Sequence, residues 1–313
     1  MKILITGGAG FIGSHVADAC LEAGHEVVVV DDLSTGSMDN LNPRAKFYQI
    51  SICDPAISQV FERERPDIVN HHAAQISVPR SIEDPLADVE TNVKGTVKLL
   101  ENCVKHKVKK VVFISSGGAI YGEAEEYPTP EAYPPKPLSV YAINKLVGEN
   151  YLHFYNHQYG LNYTVLRYAN VYGPRQNASG EAGVVSIFIN ALLDGKTPTI
   201  YAYHDAPEGM IRDYVYVMDV VRANLMALDR GDKEIFNIGT CVETTTSLLY
   251  KTILWHLGMK KEPLRGEARQ GDLRRSMLNY SKAFQELGWS PIFTLEQGIK
   301  ETVQYYLRTR SRR

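Results

Sequence analysis

The chain has 313 residues, which is long for one domain and suits a large α/β unit with an appended lobe. Its hydrophobic content of 44% is ample for a core, and its formal net charge of −2 argues against a nucleic-acid-binding surface, which needs a basic excess. The apolar stretches are far shorter than the roughly 20 residues that span a bilayer, and the four cysteines form no CxxC pair, so we expect a cytoplasmic protein with reduced thiols and no membrane segment.

In the first half of the chain, short apolar runs alternate with segments of helical pattern. The predicted strands are residues 2–6, 26–30, 47–50, 67–71, 110–115 and 162–167. The predicted helices are residues 11–23, 55–65, 88–106 and 140–159. The strands lack polar alternation, as expected when both faces are covered, and strand–helix repeats favour right-handed crossovers. Residues 1–170 are therefore predicted to form a Rossmann-type doubly wound parallel sheet of the α/β class.

After Asn170 this rhythm loosens. A polar loop at 177–183, containing a flexible segment at 180–183, precedes predicted helices at 184–193, 218–229, 246–257, 281–287 and 295–308. Predicted strands lie at 199–201 and 234–238. We expect residues 171–313 to form a second, smaller α/β substrate lobe over the carboxyl edge of the sheet, with some segments returning to the first domain.

A glycine-rich turn follows the first predicted strand and opens the first predicted helix. Gly7, Gly10 and Gly13 form a GxxGxxG pattern. Glycine allows a tight turn and a close approach to a pyrophosphate, and the helix N-terminus offers free N–H groups. This context predicts a dinucleotide site, whereas a turn that serves packing alone is the alternative.

The second predicted strand is followed by two carboxylates, Asp31 and Asp32. Asp31 lies 18 residues after Gly13, near the spacing at which a carboxylate accepts hydrogen bonds from a ribose diol. A carboxylate here would repel a 2′-phosphate, and no arginine follows immediately. The pattern therefore favours NAD over NADP, unless both aspartates only cap the turn.

Tyr141 and Lys145 stand four residues apart in the predicted helix 140–159, which Ser139 is placed to cap. A free tyrosine has a pKa of about 10 and is a poor base near neutrality. A nearby ammonium and a positive nicotinamide both favour the phenolate. Together with the glycine turn, the pair predicts nicotinamide chemistry at a carbinol carbon, the alternative being an ordinary surface helix.

With these motifs in place, the chain resembles the extended short-chain dehydrogenase/reductase family and, within it, the UDP-glucose 4-epimerases. The resemblance runs along nearly the whole chain, in residues 6–14, 72–74, 92–96, 115–122, 141–145, 166–170, 212–215 and 269–272. It implies NAD as the cofactor, a UDP-sugar as the substrate and a homodimer paired through helices 88–106 and 140–159.

The resemblance also implies a set of cofactor-binding residues. These are Gly7, Gly10, Phe11, Ile12, Gly13, Asp31, Asp32, Ser34, Thr35, Gly36, Ser51, Ile52, His72, Ala73, Ala74, Gln75, Asn92, Ser115, Tyr141, Lys145 and Tyr168.

The third catalytic group of the family is a Ser or Thr at the end of the fifth strand. Its usual position falls on Gly117, so we assign the role to the neighbouring Ser116, with Tyr141 and Lys145 as its partners. The next two positions, which carry acid–base groups in 4,6-dehydratases, hold Gly118 and Ala119. This departure disfavours dehydration.

By the same resemblance, the substrate-binding residues are Ser116, Gly117, Asn170, Val184, Val185, Tyr201, Arg212, Arg269 and Asp272. The two arginines would pair with a diphosphate and Asp272 with the uridine ribose. Ser276 stands where some epimerases carry a bulky tyrosine, so an N-acetylated sugar would also fit. The nine histidines show no ligand spacing, and no metal site is expected.

The sequence therefore predicts reversible NAD-dependent inversion at C4 of a UDP-hexose, glucose to galactose, through a transient 4-keto sugar. The alternatives are an epimerase of UDP-N-acetylglucosamine or UDP-glucuronate, a net nucleotide-sugar oxidoreductase, and a non-catalytic dinucleotide-sensing module.

Overall fold

The computed structural model describes residues 1–177, 183–269 and 271–311. Residues 180–182 of the predicted flexible segment lie outside the described residues. None of the described helices is both long and apolar enough to cross a membrane.

Fourteen strands are present among the described residues. They are β1 (Lys2–Thr6), β2 (Glu26–Asp31), β3 (Lys46–Gln49), β4 (Ile68–His71), β5 (Lys110–Ser116), β6 (Asn162–Tyr168), β7 (Asn170–Tyr172), β8 (Thr199–Ala202), β9 (Ile211–Arg212), β10 (Tyr214–Tyr216), β11 (Glu234–Ile238), β12 (Thr244–Thr245), β13 (Leu264–Glu267) and β14 (Arg275–Ser276).

Eleven α-helices accompany them in the described ranges. They are α1 (Phe11–Glu22), α2 (Ile57–Glu64), α3 (Val78–Glu83), α4 (Pro85–Asp88), α5 (Thr96–Lys105), α6 (Gly117–Ile120), α7 (Val140–Tyr159), α8 (Val184–Leu193), α9 (Val217–Ala227), α10 (Thr246–Leu257) and α11 (Leu295–Arg310). Short 3₁₀ or π-helical segments occupy Met38–Asn40, Val89–Gly95 and Ala283–Leu287.

The centre of the molecule is a seven-stranded parallel sheet in the order β11–β6–β5–β4–β1–β2–β3. The chain starts in the middle and winds outward in both directions, which confirms the predicted doubly wound Rossmann-type sheet. Each of the six strands predicted in the first half is present within one residue of its expected bounds.

Both faces of the sheet are buried, as the unbroken apolar runs require. Ile3 and Ile5 of β1 pack into one hydrophobic cluster, and Leu4 between them packs into the other. The first cluster continues into α1, α8, α9 and α11, whereas the second contains α2, α5 and α7. The sheet is thus the middle layer of a three-layer fold.

The long helix predicted at 88–106 is wrong in its internal structure. The segment is divided into α4, the π-helical turn Val89–Gly95 and α5. Asp84 caps α4 by accepting from the amide of Ala87, and the Thr96 hydroxyl donates to the carbonyl of Asn92. The apolar periodicity continues across the π-turn, which is why the sequence pattern hides the break.

The second half of the chain contributes both to the sheet and to smaller ladders. β11 forms the sheet edge beside β6. The pairs β10–β7 and β13–β8 and the three-stranded ladder β12–β9–β14 lie outside the main sheet. These ladders place the residues of β8 and β9 over the carboxyl edge, where the site is found.

Candidate active site

A cavity of about 710 Å³ lies at the carboxyl ends of the sheet strands, between the two halves of the chain. Residues that follow β1, β2, β4, β5 and β6 form one wall, and residues of α8, β8 and β9 form the opposite wall. This is the position at which open parallel sheets bind ligands, because the loops diverge where the strand order reverses.

The glycine turn forms the floor of the cavity at one end. Gly7 has a φ of +67°, and its amide donates to the carbonyl of Val30 at 2.8 Å. A Cβ atom on Gly7 would lie 2.7 Å from the Ala73 nitrogen, and one on Gly13 would lie 2.3 Å from the Gly7 oxygen. No side chain caps α1 at Gly10, so its first amides stay available. This cradle fits the pyrophosphate of a dinucleotide.

Asp31 closes the same end of the cavity. Its carboxylate accepts from the amides of Ala9 at 2.9 Å and Leu33 at 2.8 Å, which fixes its orientation. Burial raises the pKa of Asp31, and the two backbone hydrogen bonds oppose that shift. The lining residues between 30 and 52 include no basic side chain. The wall therefore suits a ribose diol better than a 2′-phosphate.

Most of the predicted cofactor-binding residues line the cavity. These are Gly7, Gly10, Phe11, Ile12, Gly13, Asp31, Asp32, Ser34, Thr35, Ser51, Ile52, His72, Ala73, Ala74, Ser115, Tyr141, Lys145 and Tyr168. The hydroxyl of Ser115, however, donates to the buried Glu149 carboxylate at 2.5 Å and is engaged there.

Three predicted cofactor residues lie outside the lining. Gly36 packs behind Asp31, since a Cβ on it would lie 3.0 Å from the Asp31 oxygen Oδ1. Gln75 and Asn92 hydrogen-bond each other twice, through the backbone of Gln75 and the side-chain amide of Asn92. These three residues therefore lie behind the cavity wall and support the residues that line it.

Tyr141 and Lys145 project from one face of α7 into the cavity. The Ser139 hydroxyl accepts from the Ala142 amide, which confirms the predicted cap and sets the start of this helix. The Lys145 ammonium donates to the carbonyl of Ile114 at 3.0 Å and lies 5.9 Å from the centre of the Tyr141 ring. Phenol and ammonium are thus brought together as predicted from their spacing.

The electrostatics of the pair differ from the sequence expectation. Burial raises the pKa of Tyr141 to about 12, and the hydrogen bond with Ser116 offsets only part of the rise. Burial lowers the pKa of Lys145 to about 8, against the nearby charges of Asp88 and Glu149, which raise it. Desolvation therefore dominates the pKa of Tyr141, and a positive charge in addition to the Lys145 ammonium is needed to favour the phenolate.

Ser116 and Gly117 take different directions at the end of β5. Ser116 lines the cavity and bonds Tyr141. Gly117 is absent from the lining, because a Cβ there would lie 2.5 Å from the Leu278 side chain, inside the core. The prediction that Gly117 contacts substrate is therefore not supported by its position. A hydroxyl at 117 would be lost in the core, whereas the one at 116 faces the pair.

The remaining predicted substrate residues all line the cavity. They are Asn170, Val184, Val185, Tyr201, Arg212, Arg269 and Asp272. The Arg212 guanidinium donates to the carbonyl of Ile211, and burial lowers its pKa. No salt bridge joins it to a carboxylate in the described part of the chain. The Arg269 guanidinium lies 4.5 Å from the centre of the Tyr201 ring. Two cations facing a cavity suit a diphosphate.

Several polar residues of the lining were missed by sequence reasoning. Thr91, Gln176, Thr199 and Thr246 are examples. Thr199 is the first residue of β8 and Thr246 the first of α10, so the sequence marks each of them only as the start of an element. Isolated threonines of this kind have no spacing that marks them before the fold is known.

Comparisons with known proteins agree with this geometry. The model of the NAD dependent epimerase/dehydratase family matches residues 3–239. A UDP-glucose 4-epimerase of Mycolicibacterium smegmatis is 44% identical over 98% of both chains. The crystal structure of a UDP-glucose 4-epimerase with UDP-glucose from Thermotoga maritima has a TM-score of 0.96 at 51% identity, covering 99% of each chain. That of a Thermus thermophilus UDP-glucose 4-epimerase in complex with NAD has a TM-score of 0.93 at 43% identity, covering 98% of this chain and 99% of that one.

The glycine turn yields the first test. In Gly13→Ala the added methyl group meets the Gly7 carbonyl at 2.3 Å, so the turn must open and NAD binding should weaken at least tenfold, about 1.4 kcal/mol. Calorimetric titration of cofactor-stripped protein with NAD measures this. In the control Gly24→Ala, no atom lies within 4 Å, and only left-handed backbone strain is added at a φ of +81°. Equal NAD affinity for Gly13→Ala and wild type would contradict the assignment.

Proposed function

Because the chain belongs to the NAD-dependent epimerase/dehydratase family, we propose that it interconverts UDP-galactose and UDP-glucose by reversible, NAD-dependent epimerisation at C4. The family match confirms the resemblance stated from the sequence, and the relatives with UDP-glucose or NAD support both ligands. The observation that carries the proposal is one cavity that holds a glycine cradle, a Tyr–Lys pair and two arginines. We also propose that residues 1–170 bind the cofactor and residues 171–313 bind the nucleotide sugar.

The cofactor is held by groups already oriented for it. The amides at the start of α1 would donate hydrogen bonds to the pyrophosphate, which the glycine turn allows to approach closely, and Asp31 would accept hydrogen bonds from a ribose. Lys145 lies beside the Tyr141 ring and is held there by its hydrogen bond to the carbonyl of Ile114. When bound, NAD supplies the hydride acceptor and donor for the sugar carbon.

Tyr141 is the proposed base and acid at the 4-oxygen of the sugar. Its phenolate takes the 4-hydroxyl proton as C4 is oxidised and returns it when C4 is reduced. The ammonium of Lys145 stabilises that phenolate, and the hydroxyl of Ser116 bonds the phenol and assists proton movement. Since burial raises the pKa of Tyr141 to about 12, ionisation needs a positive charge beyond Lys145, which an oxidised nicotinamide would supply when bound.

The sugar must turn over between the two half-reactions, and the wide cavity permits this. Arg212 and Arg269 hold the diphosphate, Asp272 the uridine ribose, and the backbone at Val184 and Val185 the uracil. With the nucleotide fixed, the 4-keto sugar rotates about its phosphate bonds and presents its other face. Asn170 completes the sugar end of this arrangement, and the Tyr201 ring packs against the Arg269 guanidinium at the diphosphate.

The other chemistries of the family fit less well. The residues that follow Ser116 and line the cavity are Gly118 and Ala119, which offer no carboxylate for dehydration. A Cβ on Gly118 would lie 3.9 Å from the Ser276 hydroxyl, so a small side chain stands near this end of the cavity. Ser276 is itself buried and is not among the lining residues, so acceptance of an N-acetylated sugar as a second substrate stays a prediction from the sequence.

The central test is conversion of UDP-galactose by purified protein without added NAD, followed by chromatographic separation of the products. We expect UDP-glucose with no net NADH, because the cofactor is regenerated in each turnover. Tyr141→Phe should lower kcat by roughly 10²- to 10⁴-fold, since it removes the proton-transfer group. Tyr305→Phe, on α11 and away from the cavity lining, is the matched control and should retain full activity.

Each other outcome has a clear meaning. No product from UDP-galactose, even with NAD supplied, contradicts the proposal, and net NADH formation indicates an oxidoreductase. Full activity of Tyr141→Phe would refute the role of the phenol. UDP-N-acetylgalactosamine, run in parallel, tests the space beside Ser276.

We further propose that the protein is a cytoplasmic homodimer that pairs through α7 and the helices beside it. Ile143 and Phe154, three turns apart on α7, are 46% and 47% exposed, and Leu86 on the neighbouring α4 is 79% exposed. Apolar side chains on adjacent helices favour burial against a second copy. The four cysteines are free thiols, which suits a reducing compartment.

Sedimentation velocity tests the dimer. Wild-type protein should sediment as a dimer, and Phe154→Asp should shift it towards the monomer by placing a charge in the apolar face. Trp255→Asp on α10, where the indole is 77% exposed, is the control and should remain dimeric. A monomeric wild type, or an unchanged Phe154→Asp, would count against this interface.

A further inference from the structure

A buried carboxylate, Asp88 at the end of α4, lies near the proton-transfer pair but outside the cavity lining. It is 0% exposed, and its carboxylate accepts hydrogen bonds from three side-chain amides: Gln75 at 2.7 Å, Asn92 at 2.9 Å and Asn144 at 2.7 Å. No salt bridge joins it to a cation in the described ranges. A fully buried carboxylate without a cationic partner is costly and rarely retained for packing alone.

The three amides come from three separate segments of the site. Gln75 follows the cavity-lining residues Ala73 and Ala74, Asn144 precedes Lys145 in α7, and Asn92 belongs to the π-helical turn. Asn92 also clamps the backbone of Gln75 on both sides. Asp88 is therefore the point at which the cofactor loop and the catalytic helix are joined.

The charge of Asp88 also reaches the reacting groups. It raises the pKa of Tyr141 and opposes the lowering of the pKa of Lys145. The other titratable groups that face Lys145 are Glu149, His71 and His72. Glu149 is neutralised by Arg167 through two hydrogen bonds.

The two histidines add no charge beside the Tyr141–Lys145 pair. Burial keeps His71 and His72 neutral by lowering the pKa of each to about 3. The hydroxyl of Ser116 is the uncharged partner of Tyr141. Among the described residues, Asp88 is thus the charge near the pair that has no salt-bridge partner.

We propose that Asp88 is a positioning residue of the reaction, one that ties α7 to the cofactor loop through three amides and sets the negative charge behind Tyr141 and Lys145. The proposal rests on the epimerase function proposed above. It extends that function to a residue that touches neither the sugar nor the cofactor. The π-helical turn is part of the device, because Asn92 lies within it and bonds Asp88 from the following turn.

The test is the pH dependence of kcat/KM for UDP-galactose in the holoenzyme. Asp88→Asn removes the charge at constant size. The pKa of Tyr141 should then fall, which moves the acidic limb to lower pH, and the pKa of Lys145 should fall, which moves the basic limb the same way. The whole profile is expected to shift to lower pH by more than the error of its midpoints.

A spectroscopic measurement separates the charge from catalysis. The ultraviolet absorbance of tyrosinate is titrated for each protein and for the same protein carrying Tyr141→Phe, and the difference isolates this one phenol among 19 tyrosines. We expect Tyr141 to ionise at lower pH in Asp88→Asn than in wild type. Unmoved midpoints in both measurements would overturn the charge role.

Two further variants keep the proposal falsifiable. Asn144→Ala retains the carboxylate but removes one tether, so kcat should fall severalfold while the pH midpoints stay. An unchanged kcat would overturn the anchoring role, including in the case that Asp88→Asn does not fold. Asp219→Asn is the control, since Asp219 is also 0% exposed and accepts from the amides of Ile292 and Phe293, away from the pair. Its pH midpoints should match wild type.

The outcome also distinguishes this proposal from the function it rests on. If wild-type protein fails to convert UDP-galactose, the function fails whatever Asp88 does. If wild type converts it and the Asp88→Asn midpoints coincide with those of wild type, only the inference about Asp88 fails.

Discussion

The site depends on an ammonium group kept away from water. Lys145 is 6% exposed, donates to the carbonyl of Ile114, and is flanked by two buried carboxylates at some remove. Burial lowers the pKa of Lys145, and the charges of Asp88 and Glu149 oppose that shift. The balance leaves a lysine with a pKa of about 8, which remains mostly charged near neutrality and faces the Tyr141 ring.

The parallel sheet makes that placement possible. Successive strands end at the same edge, so residues far apart in the chain meet there. Ser116 ends β5, Tyr141 and Lys145 lie in the first two turns of α7, and the glycine turn follows β1 at the same edge. The turn can lie against the loop after β4 only because Gly7 has no side chain to strike Ala73. Fold and chemistry thus share one requirement, the close approach of backbones at this edge.

The sequence predicts those features that have a strong local signal. Strands buried on both faces appear as apolar runs, and the Tyr–Lys spacing indicates a shared helical face, so the sheet and the pair could be predicted. The break of the helix at 88–106 could not, because residues in and next to the π-turn bond to distant parts of the chain, Asn92 to Gln75 and Thr96 to His71. The position of Gly117 against Leu278 is equally invisible, since 161 residues separate them. The pKa of Tyr141 follows from burial, which composition does not encode.

The central claim is that hydrogen leaves C4 of the sugar as hydride and returns to it within the cavity, while Tyr141 moves only the proton of the 4-oxygen. Conversion of UDP-galactose carrying deuterium at C4, in ordinary water, tests this directly by mass spectrometry of the UDP-glucose formed. The account predicts that the deuterium remains at C4 of the product. Its replacement by hydrogen from the solvent would mean that C4 loses a proton to a base, and would contradict the account.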